Sequence, residues 1–319
     1  MSKLVSLIVP CYNEEQALPL FYEQTLHIIE QLPAYNFELI LVDDGSRDGT
    51  LRVAKELAAR DARVRFLSFS RNFGKESAMY AGLLNASGDF VAFMDADLQD
   101  PPALLPQMLT ALTEEGYDAA AARRQTRTGE GRIRSFLSRR FYSMMNRLTH
   151  MEIVQGARDF RLMTRAYVNA LLALSERCRF TKGLFSWVGF RTKWISYENV
   201  ERVAGETKWS MTQLFRYALE GIIAFSVAPL SFASLLGTAF CGISLLGFLF
   251  VFFRALFCGD PVAGWPSLVC ILLFASGIQL FSLGMVGQYL ARVYTETKRR
   301  PLYICRESNL PEEKFVRMG

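Results

Sequence analysis

Charge is missing from two long stretches of this chain: no residue of 221–253 is acidic or basic, and none of 261–291. Each run exceeds the roughly 20 residues a helix needs to cross hydrocarbon, which predicts two spanning helices rather than a pair of buried helices in a soluble protein. Trp265 and Tyr289, near the ends of the second run, fit interfacial anchors. A secretory signal is also lacking. The first ten residues hold one Lys and a β-like run ending in Pro10, without a long apolar core or small-residue cleavage site, so the front of the chain is expected in the cytoplasm. The six cysteines, Cys11, Cys178, Cys241, Cys258, Cys270 and Cys305, show no paired spacing of the metal or disulfide kind and read as ordinary thiols. His27 and His150 are isolated, and neither is assigned a role. No internal repeat or low-complexity linker is visible.

What is present is a chain of 319 residues, 51% hydrophobic, long enough for one large domain or two ordinary ones. The connection from Arg254 to Trp265 carries one Arg and one Asp. Arg202, Lys208 and Arg216 precede the first apolar run, and Arg292, Lys298, Arg299 and Arg300 follow the second. The positive-inside rule therefore places both flanks in the cytoplasm and translocates only a short loop. The net charge of +5 is modest, yet Arg123, Arg124, Arg127, Arg132, Arg134, Arg139, Arg140 and Arg147 crowd one segment with Glu130 as its only acid. Such a cluster suits phosphates or anionic headgroups, the alternative being a solvated helix face.

β-rich runs at Leu4–Pro10, Phe37–Asp43, Val64–Phe69 and Phe90–Asp95 alternate with helical patterns such as Glu15–Gln31 and Thr50–Arg60. The alternation predicts an α/β, Rossmann-like fold with a parallel sheet covered by helices, and near-continuous apolar strands such as Leu39-Ile40-Leu41-Val42 suit a sheet buried on both faces. A helical and basic region then runs to about Met151. An extended piece follows at Asp159–Met163, a further strand at Lys193–Tyr197, and an amphipathic helix at Trp209–Ile223.

Ligands of such sheets bind outside the carboxyl ends of the strands, where this sequence places polar clusters after Pro10, at Asp43-Asp44-Gly45-Ser46 and at Asp95-Ala96-Asp97. The last sets two carboxylates at alternate positions after an apolar strand, with Gln99 one step on and Pro101-Pro102 as a stop. That arrangement suits a hard divalent cation, Mg2+ or Mn2+, bridging two phosphates of a nucleotide. Asp48 or Thr50 suffices to cap the next helix. Two consecutive acids at a strand end, however, call for a base edge, a ribose hydroxyl or a cation to offset their repulsion. Trp187 and Trp194 lie where they would stack on a sugar or pack in a core.

Taken together, Val9–Glu15, Val42–Thr50, Arg71-Asn72-Phe73-Gly74-Lys75 and Asp95–Pro102 resemble family 2 inverting glycosyltransferases. Within that family the chain is most similar to polyprenyl-phosphate glycosyltransferases, the bacterial bactoprenol glucosyltransferases and dolichyl-phosphate mannose synthases, over nearly its whole length. The resemblance implies a GT-A catalytic domain over 1–207, an amphipathic juxtamembrane helix over 208–224, two transmembrane helices over 225–292 and a cytoplasmic basic tail over 293–319. It implies that Pro10, Tyr12, Glu14, Asp43, Asp44 and Asp95 bind the nucleotide, and that Asp95, Asp97 and Gln99 hold the metal. Asp159 would be the acid near the acceptor, with Arg202 and Lys208 in a phosphate-binding loop. The implied partners are a nucleotide-sugar, UDP-glucose before UDP-N-acetylhexosamine, UDP-galactose or GDP-mannose, together with a polyprenyl phosphate and membrane lipid. A bacterial inner-membrane location is implied, with no nucleic acid partner. Gln279 and Gln288 in or near the second span favour a homo-oligomer.

The expected chemistry is consistent with these residues. A phosphate monoester, with a second pKa of about 6, is already a dianionic nucleophile at neutral pH, leaving Asp159 to orient the acceptor or to take a proton. Bringing that anion to a sugar with an anionic leaving group demands cations on both sides. A processive polysaccharide synthase would require a Gln-x-x-Arg-Trp motif, which the chain lacks, and more spans. A non-catalytic lipid-sugar translocator or scaffold would have no need of both Asp95 and Asp97.

Overall fold

The structure, a computed structural model, describes residues 2–124, 154, 156–177, 179–198, 228–258 and 264–310. The chain divides into two compact units, Met1–Ser210 with Arg300–Gly319, and Met211–Arg299.

In the first unit the apolar runs form strands β1 (Lys3–Cys11), β2 (Tyr35–Asp43), β3 (Val64–Phe69) and β4 (Phe90–Phe93). Between them lie α1 (Ala17–Glu30), α2 (Thr50–Arg60) and α3 (Lys75–Asn85), followed by α4 (Leu105–Thr113). Strand β1 pairs in parallel with both β2 and β4, and β2 with β3. Alternate residues of the strands face opposite layers. Leu7, Val9, Leu39 and Leu41 join Leu18 and Phe21 of α1, Leu57 of α2 and Met108 of α4 in one buried core. On the other face α3 lies so close to β1 that a Cβ on Gly82 would meet Ile8 Cγ2 at 2.2 Å. Only a residue without a side chain permits that approach.

The sheet is mixed rather than all parallel. Its order is β7-β5-β6-β4-β1-β2-β3-β8, where β5 is Ala119–Arg124, β6 Ala157–Thr164, β7 Thr192–Tyr197 and β8 Cys305–Ser308. β6 runs antiparallel to β4 and β5, and β8 antiparallel to β3. Antiparallel strands add to a parallel centre without a right-handed crossover helix, which alternation along the sequence does not reveal. β5 corrects the expected helical region, because Ala119, Ala120, Ala121 and Ala122 are fully buried in a strand. Alanine favours helices intrinsically, but close packing between neighbouring strands overrides that preference. Helices α5 (Arg165–Ala173) and α6 (Thr181–Trp187) follow β6.

In the segment expected as a basic tail, a helix runs to Thr297 and Cys305–Ser308 is an edge strand of the sheet. Tyr303 stacks on Phe69 with ring centroids 4.8 Å apart, and Lys55 bonds Glu307 at 2.7 Å.

The second unit holds α7 (Ala228–Cys258) and α8 (Trp265–Thr297), of 31 and 33 residues. Their side chains are described at only part of both helices, and among the described residues no helix is long and apolar enough to cross a membrane. The two spans expected over 225–292 are therefore not shown. The amphipathic helix expected over 208–224 lies outside the described residues.

Candidate active site

Two loops at the carboxyl ends of β1 and β2 are tied together before any ligand is considered. Asn13 N donates to Ser46 Oγ at 3.0 Å, Glu14 N to Thr50 Oγ1 at 2.8 Å, and Arg47 N to Asn13 Oδ1 at 2.9 Å. Asp48 accepts from Glu15 N at 3.2 Å and from Thr50 Oγ1 at 2.6 Å. Asn13 adopts φ 56°, a left-handed conformation that Asn tolerates better than most residues. Tyr12 and Glu14 are thereby fixed at the mouth of the cleft.

The paired acids Asp43 and Asp44 are each 3% exposed, and the chain itself engages them. Asp43 accepts from Ser46 N at 3.0 Å and Ser68 Oγ at 2.7 Å. Asp44 accepts from Phe73 N at 2.6 Å and from Gly74 N at 2.9 Å. Their repulsion is thus relieved by local donors, without any ligand. Burial nevertheless raises the Asp44 carboxyl to about 6, against the downward pull of the Phe73 and Gly74 amides. Gly45, at φ 66°, is obligatory: a Cβ there would lie 2.4 Å from the Arg71 carbonyl carbon.

β4 delivers Asp95 and Asp97. Leu98 sits at φ 56°, unusual for a bulky residue. Asp97 Oδ1 accepts from Gln99 N at 3.1 Å. Arg158, on β6, donates to Gln99 Oε1 at 3.1 Å and to Asp100 Oδ1 at 2.8 Å. Tyr197 of β7 also donates to Asp100. Burial pushes the Asp100 carboxyl up despite Arg158.

Asp159 reaches the same place from β6. Lys75, the first residue of α3, donates to Asp95 at 2.9 Å and to Asp159 at 2.6 Å. Lys182 Nζ stands 3.9 Å from the other Asp159 oxygen. Burial opposes charge on both Lys75 and Asp159, but their attraction prevails, keeping the ammonium above and the carboxyl well below their ordinary ranges. Lys182 is held by its neighbour Thr181, whose N donates to Glu76 Oε2 of α3 at 3.1 Å.

These groups border a cleft of about 260 Å³ lined by Pro10, Cys11, Tyr12, Glu14, Asp44, Asn72, Gly74, Lys75, Ala78, Asp95, Ala96 and Asp97. Of the residues expected to bind nucleotide, Asp43 is not in the lining, because Ser46 and Ser68 hold its carboxylate. Asp159 joins the cleft through Lys75. Gln99 is likewise absent from the lining, its carbonyl being committed to Arg158. Trp187 is 58% exposed on α6, whereas Trp194 lies against the buried Arg161 at 5.4 Å. Arg202, Lys208 and the basic cluster from Arg127 to Arg147 lie outside the described residues.

Among the described residues no group of three or more His, Cys, Asp or Glu is gathered that could hold a metal ion. The donor set still fits one in part: a Mg2+-like ion takes one or two carboxylates and completes its shell with substrate phosphates and water, and Asp95 and Asp97 both face the cleft.

The motifs alone did not assign roles to Lys75 and Arg158. Lys75 lies within the motif Arg71–Lys75, but its partner Asp159 is 84 positions away, and the contact of Arg158 with Asp100 spans 58 positions of sequence.

A parallel α/β centre with a cleft at its β1/β4 switch point, bordered by Asp95 and Asp97, has its candidate site where open α/β sheets bind their ligands. Residues 6–172 match the model of glycosyl transferase family 2. The chain belongs to that family and is a glycosyltransferase. It is 42% identical to CsbB of Bacillus subtilis (strain 168), whose glycosyltransferase name is provisional, over 97% of this chain and 93% of that protein. It is 41% identical to the SfII prophage-derived bactoprenol glucosyl transferase of Shigella flexneri, over 96% of this chain and 98% of that one. Among solved structures, glucosyl-3-phosphoglycerate synthase from Mycobacterium tuberculosis, in complex with Mn2+, UDP-glucose and phosphoglyceric acid, shares 21% identity over 69% of this chain and 78% of its own, with a TM-score of 0.47. A likeness of that degree fixes neither ligand nor acceptor.

Proposed function

We propose that the enzyme transfers a hexose, glucose from UDP-glucose before other nucleotide-sugars, to a polyprenyl phosphate at the cytoplasmic face of a bacterial inner membrane. The observation that carries this reading is the Lys75 bridge, which joins Asp95, at the strand-end cleft, to Asp159 of β6. The bactoprenol glucosyl transferase names of relatives alike over nearly their full lengths support the acceptor class.

On this reading Pro10, Tyr12 and Glu14 line the nucleoside end of the cleft, and Asp44 holds the Phe73–Gly74 turn that closes it. Asp43 braces the same wall from behind. Asp95 and Asp97 would hold a Mg2+ or Mn2+ ion, which would supply charge neutralisation for the departing diphosphate. Gln99 acts at one remove, through its bond with Arg158. Asp159, kept anionic by Lys75 and Lys182, orients the acceptor without needing to deprotonate a phosphate that is already dianionic. Arg202 and Lys208 draw in the acceptor phosphate. A single in-line displacement inverts the anomeric centre.

The two long helices complete the proposal as membrane spans: at 1.5 Å per residue, 31 and 33 residues reach roughly 46 and 50 Å, more than a hydrocarbon core. Removing a polyprenyl chain from the bilayer costs about 0.8 kcal/mol per CH2, so the enzyme must come to its acceptor. Gln279 and Gln288 on α8 favour pairing between protomers. The test compares undecaprenyl phosphate with undecaprenol as acceptor for the purified full chain and UDP-glucose, following UDP release. Release that needs the phosphate supports the proposal; equal release with the neutral alcohol sinks it.

A further inference from the structure

Lys75, which lines the cleft, touches both Asp95 and Asp159. Its ammonium lies 2.7 Å from Asp95 Oδ1, 2.9 Å from Asp95 Oδ2 and 2.6 Å from Asp159 Oδ2, so both oxygens of Asp95 are engaged. The side chain is nonetheless 42% exposed and lines the cleft, where a bound diphosphate would come within its reach.

Resting on the reading that Asp95 and Asp97 form the donor-side metal pair, we propose that Lys75 is a built-in counter-ion that blocks Asp95 in the empty cleft. A divalent cation then binds well only together with a nucleoside diphosphate. A divalent ion at Asp95 would stand within a few Å of the ammonium, where like charges repel strongly in a partly desolvated site. The diphosphate removes the obstacle by giving the ammonium an alternative anionic partner. Asp159 keeps the other side of the bridge, so Lys75 turns between partners without losing its hold on the acceptor-side acid. The anchor of this movement is firm: Gly74, at φ 96°, is tied by its N–H to Asp44, and only the side chain beyond Lys75 Cα has to move. Lys75 is thus a positioning residue for the order in which ligands enter.

The test is a titration of the full chain in detergent with Mn2+ alone, read by the electron paramagnetic resonance of free Mn2+, and repeated with UDP. Wild type is expected to bind Mn2+ weakly alone and tightly with UDP. Lys75→Met and Lys75→Gln should bind Mn2+ alone at least about tenfold more tightly than wild type, since removing a unit charge a few Å away is worth that factor or more. Lys75→Arg, which retains the charge, should stay as weak as wild type. UDP binding by each variant reports that the cleft is intact. Neutral variants that bind UDP but hold Mn2+ no better than wild type would overturn the counter-ion role while leaving the metal pair standing. Absence of Mn2+ binding by wild type even with UDP, and no change on Asp97→Asn, would overturn the metal reading and the proposal with it.

Discussion

Replacing Arg158 by Met removes the guanidinium that joins β6 to the strained loop after β4. Two bonds are lost, to Asp100 at 2.8 Å and to Gln99 at 3.1 Å. The decisive effect falls on Asp100, which is 1% exposed and has one oxygen with no hydrogen-bond partner among the described residues. Without Arg158 its carboxylate retains, among the described residues, only the Tyr197 hydroxyl. Breaking a buried ion pair from one side costs about 3–5 kcal/mol. Because the Arg158 side chain is itself 23% exposed and Tyr197 remains, about 2–3 kcal/mol is the appropriate figure. For a unit of this size that lowers the melting temperature by roughly 5–10 °C. Adding Asp100→Asn removes the stranded charge, so the double variant should recover at least half of the loss. Differential scanning fluorimetry of the full chain in detergent reads both. A single variant within about 1 °C of wild type, or a double variant no better than the single, would refute the claim that Arg158 acts by compensating a buried carboxylate.

Two further outcomes follow from the same loops. Asp44 takes up its proton at about 6 in the folded chain against 3.8 ordinarily, so between those values the folded state binds more protons and the group's contribution to stability falls as pH rises. Asp44→Asn lacks that titration, and its melting temperature relative to wild type should climb from pH 4 to pH 7; a flat or falling difference would contradict the assignment. Tyr303→Ala removes a 3%-exposed ring stacked on Phe69, whose ring in turn meets Phe73 edge-on at 5.8 Å beside the Asp44 turn. It should cost about 2–4 kcal/mol and weaken UDP binding, while Tyr303→Phe keeps both nearly intact; UDP affinity unchanged in the alanine variant would separate β8 from the cleft.

The parts legible in the sequence were those governed by local pattern. The apolar runs that became β1 to β4 carry their own burial signal, and the polar clusters at their ends marked the cleft because ligand sites in such sheets follow strand ends. What escaped depended on distant partners. Four alanines say helix until β6 and β7 enclose them, and Cys305–Ser308 becomes a strand only because β3 offers an open edge. The adjacent acids Asp43 and Asp44 seemed to need a ligand, yet Ser46, Ser68, Phe73 and Gly74 supply the donors, three of them through backbone amides that no side-chain pattern reports. Gln99 lay at the expected spacing for a metal ligand, but its carbonyl is committed to an arginine 59 positions away.

The destination of the sugar distinguishes a polyprenyl-phosphate glycosyltransferase most directly. Purified membranes containing the chain would be incubated with undecaprenyl phosphate, Mg2+ or Mn2+, and each of a panel of radiolabelled nucleotide-sugars, with Asp97→Asn as control, and label counted in the organic phase. Lipid-phase label from UDP-glucose above all other donors, abolished by Asp97→Asn, is the predicted result. Label that stays in the aqueous phase for every donor, with the protein folded and UDP bound, would contradict transfer to a polyprenyl phosphate.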